Sequence, residues 1–201
     1  MQHKTNGFQA RREKKKAGII KAALELFAIH GVKKVTIADI AKKANVSPVT
    51  IYNYFGSKDE LLKSAIFDFL ENALKDYEHV LNSDIPFPEK IERFIFYKDR
   101  TLNTFTLEFL KSVFEENSEM RAQILDWYAR HATPLLDKLI QQGREERYIN
   151  PDISTEAIWF YINLFRDTVN RLEVYSGYDK KTLSDITRLF YWGLLEKPSE
   201  K

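Results

Sequence analysis

Residues 36–62, TIADIAKKANVSPVTIYNYFGSKDELL, contain three helix starts within 27 residues. No other segment limits the fold as tightly, because closely spaced caps leave the backbone few arrangements. Thr36 and Asp39 form a T-x-x-D capping box, with Ile37, Ile40, Ala41 and Ala44 following at i, i+3, i+4 and i+7. This predicts an amphipathic helix with a narrow apolar stripe. Asn45 tolerates the left-handed conformation that ends helices. Ser47 caps a second helix, with Pro48 at its first position, where the missing N–H costs nothing. Val46 and Ile51 sit at the two ends of a hydrophobic staple, so the turn angle is fixed locally. Gly56 ends this helix, and Ser57 with Glu60 opens a third. The middle helix is too short and too polar to exist for packing alone. It is built to be read by another molecule.

On a helical wheel, Ile51 and Phe55 share one face at i and i+4 and are the core contacts. At about 100° per residue, Val49 and Asn53 point away from them. Thr50 and Tyr52 flank that outward face, and Tyr54 lies nearer the core boundary. These side chains suit a DNA major groove. Asn bonds adenine N6 and N7, Thr bonds bases or phosphates, and Val touches a thymine methyl. Tyr reaches a phosphate oxygen. The competing reading is an ordinary solvated helix, and the agreement of caps, staple and outward face weighs against it. Lys58 stands in the first turn of a helix, where the macrodipole disfavours a cation. A phosphate over that N-terminus reverses the sign of the cost; a freely solvated lysine is the alternative.

Charge supports the same division of labour. Residues 1–64 hold 13 Lys and Arg against 5 Asp and Glu, a balance of +8. Residues 65–201 hold 18 against 24, a balance of −6, which together give the net +2. A basic first third on an acidic body is the footprint of a DNA-binding domain joined to a part that does not touch DNA. Arg11, Arg12, Lys14, Lys15 and Lys16 precede the first apolar helix. They read equally as an arm reaching a minor groove, as a nonspecific phosphate contact or as a solvated tail.

The remaining chain carries no strand pattern and no Asn-Gly or Asp-Gly hairpin signal. From Lys58 a long helix runs through Leu61, Ala65, Leu70, Leu74 and Leu81 to a break at residues 82–88. Helices are predicted over about 89–98 and 101–115, the latter with Leu102, Phe105, Phe109 and Leu110 on one side. After Asn117 and Ser118 another runs to about Gln142, interrupted and kinked by Pro134. Gly143 to Pro151 is a further break. Ser154 caps a helix to about 175 that carries Ile158, Tyr161, Ile162, Phe165, Val169 and Leu172. Trp159, Phe160 and Leu164 make its other side apolar. A helix apolar on two sides packs on two sides, one against its own domain and one against a partner. The last helix, about 180–195, carries Leu183, Ile186, Leu189, Phe190 and Leu194. Two core helices of a monomer remain the alternative.

The segment Gly31 to Leu62 resembles the DNA-binding region of TetR-type transcriptional repressors. The likeness rests on G-V-x-x-V-T-I-A-D-I-A, Gly31 to Ala41, and V-S-x-x-T-I-Y-N-Y-F-x-S-K-D-E-L-L, Val46 to Leu62. It reaches upstream to a first helix at Ile19 to Phe27. Asn45 stands where members usually carry Gly, and both accept positive φ. Ala38 stands where some members reach a base, which leaves that helix phosphate contacts only. The resemblance implies that Thr36, Thr50, Tyr52, Tyr54 and Lys58 contact the DNA backbone, and that Val49, Thr50 and Asn53 read bases. Ser47, at the start of the reading helix, joins this set. The implied fold is all-α, with a basic arm (1–16), a three-helix helix-turn-helix domain (17–64) and a larger helical ligand-binding and dimerisation domain (65–201). The implied function is a ligand-responsive repressor that binds a palindromic operator as a homodimer. A small lipophilic effector releases it. The last two helices then form a four-helix bundle across the dimer.

Aromatic side chains concentrate in the acidic body. Phe105, Phe109, Trp127, Tyr128, Tyr161 and Phe165 are candidates for an apolar effector pocket, with His131 as its polar handle. A core built from large side chains is the competing reading of the same residues. Enzymatic chemistry finds little support. The sequence has no Gly-rich phosphate loop, no G-x-S-x-G and no H-E-x-x-H. Its four histidines are widely separated, and with no cysteine it offers no metal site. Neither a cofactor nor a membrane partner is expected. The absence of a secretory leader pattern and of long apolar runs predicts a soluble, cytoplasmic protein. A DNA-binding architectural or chromosome-organising protein without an inducer is the other class that fits.

Overall fold

The computed structural model describes the backbone of residues 2–169, 176–193 and 195, and the side chains of these except 2–6, 102 and 166–169. Every regular element among the described residues is a helix. In chain order they are α1 (Gln2–His30), α2 (Ile37–Ala44), α3 (Pro48–Phe55), α4 (Lys58–Leu81), α5 (Phe87–Thr104), α6 (Leu107–Phe114), α7 (Ser118–Glu145), α8 (Thr155–Val169) and α9 (Lys180–Gly193). None of them is long and apolar enough to cross a membrane.

The chain divides into two compact units. The first joins Met1–Asn72 to Glu108–Arg121, and the second joins Ala73–Leu107 to Ala122–Lys201. The boundary therefore differs from a single cut after residue 64. Residues 108–121 return to the first unit, where Phe109, Val113 and Met120 are buried. Lys33 pairs with Glu116 at 2.7 Å and Lys34 with Glu108 at 3.1 Å. All four side chains are largely exposed, so the apolar burial holds the segment and the ion pairs add little. Sequence periodicity does not show this return, because it depends on contacts far apart along the chain.

The core of the first unit is the apolar stripe of each helix: Ile19, Ala23 and Phe27 from α1, Ile40 from α2, Ile51 from α3, and Leu61 and Leu62 from α4. Gly31, at φ 77°, turns the chain out of α1, and its N–H closes on the Phe27 carbonyl at 2.9 Å. The second unit has two buried clusters. Val80, Leu81, Phe87, Ile91, Phe94, Ile95, Leu135 and Leu139 form one, and Ile140, Ile149, Ile158, Ile162 and Phe190 form the other. Lys90, only 6 % exposed, reaches the end of α4. Its ammonium donates to the Leu81 carbonyl at 2.9 Å and to Gln142 Oε1 at 3.2 Å. A cation there complements the negative end of the α4 dipole. Gly143 lies where a Cβ would meet Phe87 Cζ at 2.8 Å and Ile149 Cδ1 at 2.7 Å, so the backbone can approach only without a side chain.

Several boundaries differ from the sequence expectation. Within the basic segment, residues 2–16 are helical and continuous with the rest of α1. Its QARREKKKA run consists of strong helix formers, which lets α1 extend without a core beneath it. The 89–98 helix runs on to Thr104, and the expected 101–115 helix is broken at Phe105, which is extended (φ −105°, ψ 138°). Thr101, Asn103 and Thr104 donate side-chain hydrogen bonds to the carbonyls of Tyr97, Asp99 and Arg100. These i−4 side-chain bonds compete with the backbone ladder over the last turn of α5. α7 passes through Gly143 and ends at Glu145, and Arg147 in the turn that follows takes φ 61°. Leu172 and Leu194, assigned to the last two helices from sequence, lie outside the described residues.

Candidate nucleic-acid interface

α2 and α3 are fixed by bonds that span no more than five residues. Asp39 N–H donates to Thr36 Oγ1 at 3.1 Å, while Thr36 N–H and hydroxyl both donate to Asp39 Oδ2, at 2.9 and 2.6 Å. The Thr36 hydroxyl, then its N–H, hold the Asp39 carboxyl below the usual aspartate range. Asn45 adopts φ 54° and ψ 50°, and Val46 N–H returns to the Ala41 carbonyl at 3.0 Å. Ser47 Oγ accepts from Thr50 N–H at 3.2 Å and shares a 2.9 Å hydrogen bond with Thr50 Oγ1. Gly56, at φ 77°, closes α3 through a 2.8 Å bond from its N–H to the Tyr52 carbonyl. Two short helices joined by residues 45–47 are thereby set at a fixed angle.

The faces of α3 fall as its wheel requires. Ile51 and Phe55 are buried. Val49 is 65 % exposed, Tyr52 is 51 % exposed, and Asn53 is exposed beside them. Thr50 and Tyr54 are half-buried at the two margins, and Thr36 and Ser47 are exposed at the starts of their helices. Two candidates have intramolecular partners that the sequence did not reveal. Tyr54 hydroxyl donates to the Arg12 carbonyl at 3.5 Å, the outer limit of a hydrogen bond, and the Arg12 guanidinium lies 5.7 Å from the Tyr54 ring centroid. Lys58 is half-buried, with Nζ 6.0 Å from the ring centroid of the buried Phe27. That contact is at the edge of cation–π range and gives Lys58 a structural neighbour.

The pocket candidates are dispersed. Phe109 is buried in the first unit, whereas the other six belong to the second. Phe105 is the residue that ends α5. Trp127, Tyr128 and His131 adjoin one another on α7, with ring centroids 5.5 Å apart for Trp127–Tyr128 and 5.0 Å for Trp127–His131. Tyr161 and Phe165 stack on Phe190 of α9 at 5.3 and 4.1 Å, which makes them part of a core cluster. Sequence reasoning did not select Tyr77 and Tyr191. Burial raises both phenol pKa values, and the Tyr191 and Tyr128 hydroxyls add to the effect on Tyr77. Tyr77 lies edge-on to Phe94 at 4.9 Å and to Tyr97 at 5.7 Å inside the second unit.

A basic first unit with a capped helix-turn-helix and an exposed amide-bearing face defines a DNA-binding protein. Residues 19–65 match the family model described as bacterial regulatory proteins, tetR family. An uncharacterised HTH-type transcriptional regulator of Bacillus subtilis, YhgD, is 25 % identical over 182 residues, covering 86 % of this chain and 92 % of that protein. The structure of the fatty acid degradation regulator FadR from Bacillus halodurans superposes with a TM-score of 0.66 at 25 % identity, covering 90 % of this chain and 96 % of that one. FadR from Bacillus subtilis, solved in complex with stearoyl-CoA, shares the fold with a TM-score of 0.63 at 23 % identity, over 88 % of this chain and 98 % of that one. Residues 19–65 thus carry the DNA-binding domain of tetR-family regulators, and the rest of the chain is similar to such regulators in sequence and fold.

Proposed function

We propose that this regulator is a repressor that binds a near-palindromic operator as a homodimer and releases it when a small lipophilic effector enters the second unit. The observation that carries the reading is the outward face of α8 and α9. Ile158 and Ile162 are buried on one side of α8, while Phe160 and Leu164 are 72 % and 58 % exposed on the other. Leu189 and Trp192 of α9 are 72 % and 41 % exposed. Large apolar side chains grouped on neighbouring elements of a soluble regulator mark a surface covered by a second copy. Two-fold protein symmetry then requires half-sites about 34 Å apart or a multiple of it.

Effector binding is supported by the second unit's composition and by the bound stearoyl-CoA of the structural relative. Apolar clusters supply the lining, and Tyr77, Tyr128 and Tyr191 supply polar groups that orient a ligand. α4 starts in the first unit at Lys58 and ends in the second, where Lys90 and Gln142 hold the Leu81 carbonyl. A rigid helix so anchored passes a shift at one end to the other. By linkage, the effector binds free protein more tightly than DNA-bound protein by the same factor that it weakens DNA binding.

Genome-wide mapping of bound sites tests the whole reading. A few palindromic sites beside regulated genes are expected, and many dispersed sites without symmetry would favour an architectural role. Sedimentation should give a dimer at micromolar concentration; a monomer with and without operator removes the dimer. A ligand found by thermal-shift screening should bind less tightly when operator is present, and equal affinity in both states would exclude it as the effector.

A further inference from the structure

The helical extension of α1 does more than carry charge. Phe8, Arg11, Arg12 and Lys15 recur at i, i+3, i+4 and i+7, so they share one face of the helix. That face turns toward α3. Together with Asn53 and Tyr54 the four residues line an open groove of about 620 Å³. Arg12 is tied to Tyr54 through both the ring contact and the Arg12 carbonyl. Arg11 Nε bonds to the Gly7 carbonyl one turn earlier, which steadies the helix at this point. Glu13, the only acid among residues 7–16, lies on the opposite side of the helix. The groove is thus a cationic channel with the principal base-reading candidate in its wall.

We propose that this groove holds one phosphate strand of the duplex, with α3 in the major groove on one side of the strand and the α1 extension on the other. Arg11, Arg12 and Lys15 grip the phosphates that flank the base pairs facing Asn53. Residues 7–16 span about 15 Å along the helix axis, a length that covers several consecutive phosphates of one strand. Among the three readings of the basic segment left open by sequence, the helical geometry selects an ordered phosphate contact. It also makes the extension a part of site recognition, because a clamped strand fixes how deeply and at what angle α3 enters. This inference rests on the DNA-binding reading.

Fluorescence anisotropy of the full chain on a mapped operator, over a series of salt concentrations, tests it. R11Q/R12Q and K14Q/K16Q remove the same charge, but Lys14 and Lys16 lie off the groove face. R11Q/R12Q should lower the magnitude of the salt slope by about two and weaken binding about 30-fold at 0.15 M salt. K14Q/K16Q should change the slope by less than one. Equal effects from both pairs would show that only net charge matters and overturn the groove; so would the absence of any effect from R11Q/R12Q. Circular dichroism checks the helix content of each variant. If R11Q/R12Q loses helix, K15Q carries the test, with an expected loss of about 5-fold and a slope change of about one. A wild-type chain that binds no duplex at any salt overturns DNA binding itself, which is a different outcome from a wild type that binds and a groove variant that binds equally well.

Discussion

The two units are specified in different ways. In the first, the turn between α2 and α3 is set by hydrogen bonds spanning three to five residues, from Thr36, Asp39, Ser47 and the left-handed Asn45. In the second, the helices meet through large buried side chains and through Gln142, which bonds Lys90 and the Leu81 carbonyl, 52 and 61 residues away. Local bonds preserve an angle while leaving one face of α3 free for a ligand as large as DNA. Packing in the second unit instead ties each helix to residues far along the chain, so its shape depends on side-chain contacts rather than on local backbone bonds.

The largest expected effect tests packing in the second unit. Phe94, 1 % exposed and edge-on to Tyr77 at 4.9 Å, should cost about 3–5 kcal/mol as Phe94→Ala, measured by urea denaturation. A loss below about 1 kcal/mol would mean that this cluster does not hold the unit together.

Lys90→Met keeps the stem and removes the ammonium, leaving the Leu81 carbonyl with Gln142 as its side-chain donor. The expected cost is about 1–3 kcal/mol in the same assay. An unchanged midpoint would show that water replaces the ammonium at the end of α4, and the contrast between local and long-range bonding would weaken.

In the first unit the contrast is between base and phosphate. Asn53→Ala should cost about 1–3 kcal/mol on the best operator and little on random duplex. Lys58→Ala should weaken all sequences alike and lower the salt slope by about one. Equal loss on random and specific DNA for Asn53→Ala would mean that the outward face of α3 is misassigned.

The smallest effects concern the caps. Ser47→Ala should destabilise by about 1 kcal/mol, since it removes the acceptor of Thr50 N–H. Asp39 has a folded pKa below its unfolded value of about 3.9, so its contribution is present above that value and is lost as pH falls through the folded pKa. Asp39→Asn should flatten the acid limb of stability below about pH 4. An acid limb identical to wild type would show that the capping carboxylate is not linked to folding.

The sequence by itself determined the all-helical class, the caps of α2 and α3, and the division of α3 into Ile51 and Phe55 inside and Val49, Tyr52 and Asn53 outside. These follow from periodicity and from bonds that close within a few residues, so the necessary information lies in adjacent letters. It also determined that residues 1–16 are basic, and their helix-forming composition was legible there too. Only the tertiary structure decided that residues 2–16 form a helix whose Arg12 lies on Tyr54, 42 residues away. Tertiary structure likewise broke α5 from α6 at Phe105 and returned residues 108–121 to the first unit. It divided the pocket aromatics between the two units, with Tyr161 and Phe165 stacked on Phe190. Apart from the α1 extension, which has no core beneath it, these outcomes depend on which distant apolar surface a helix finds to bury against. Burial free energy follows the area removed from water and carries no label of chain position, so no local pattern in the sequence announces it.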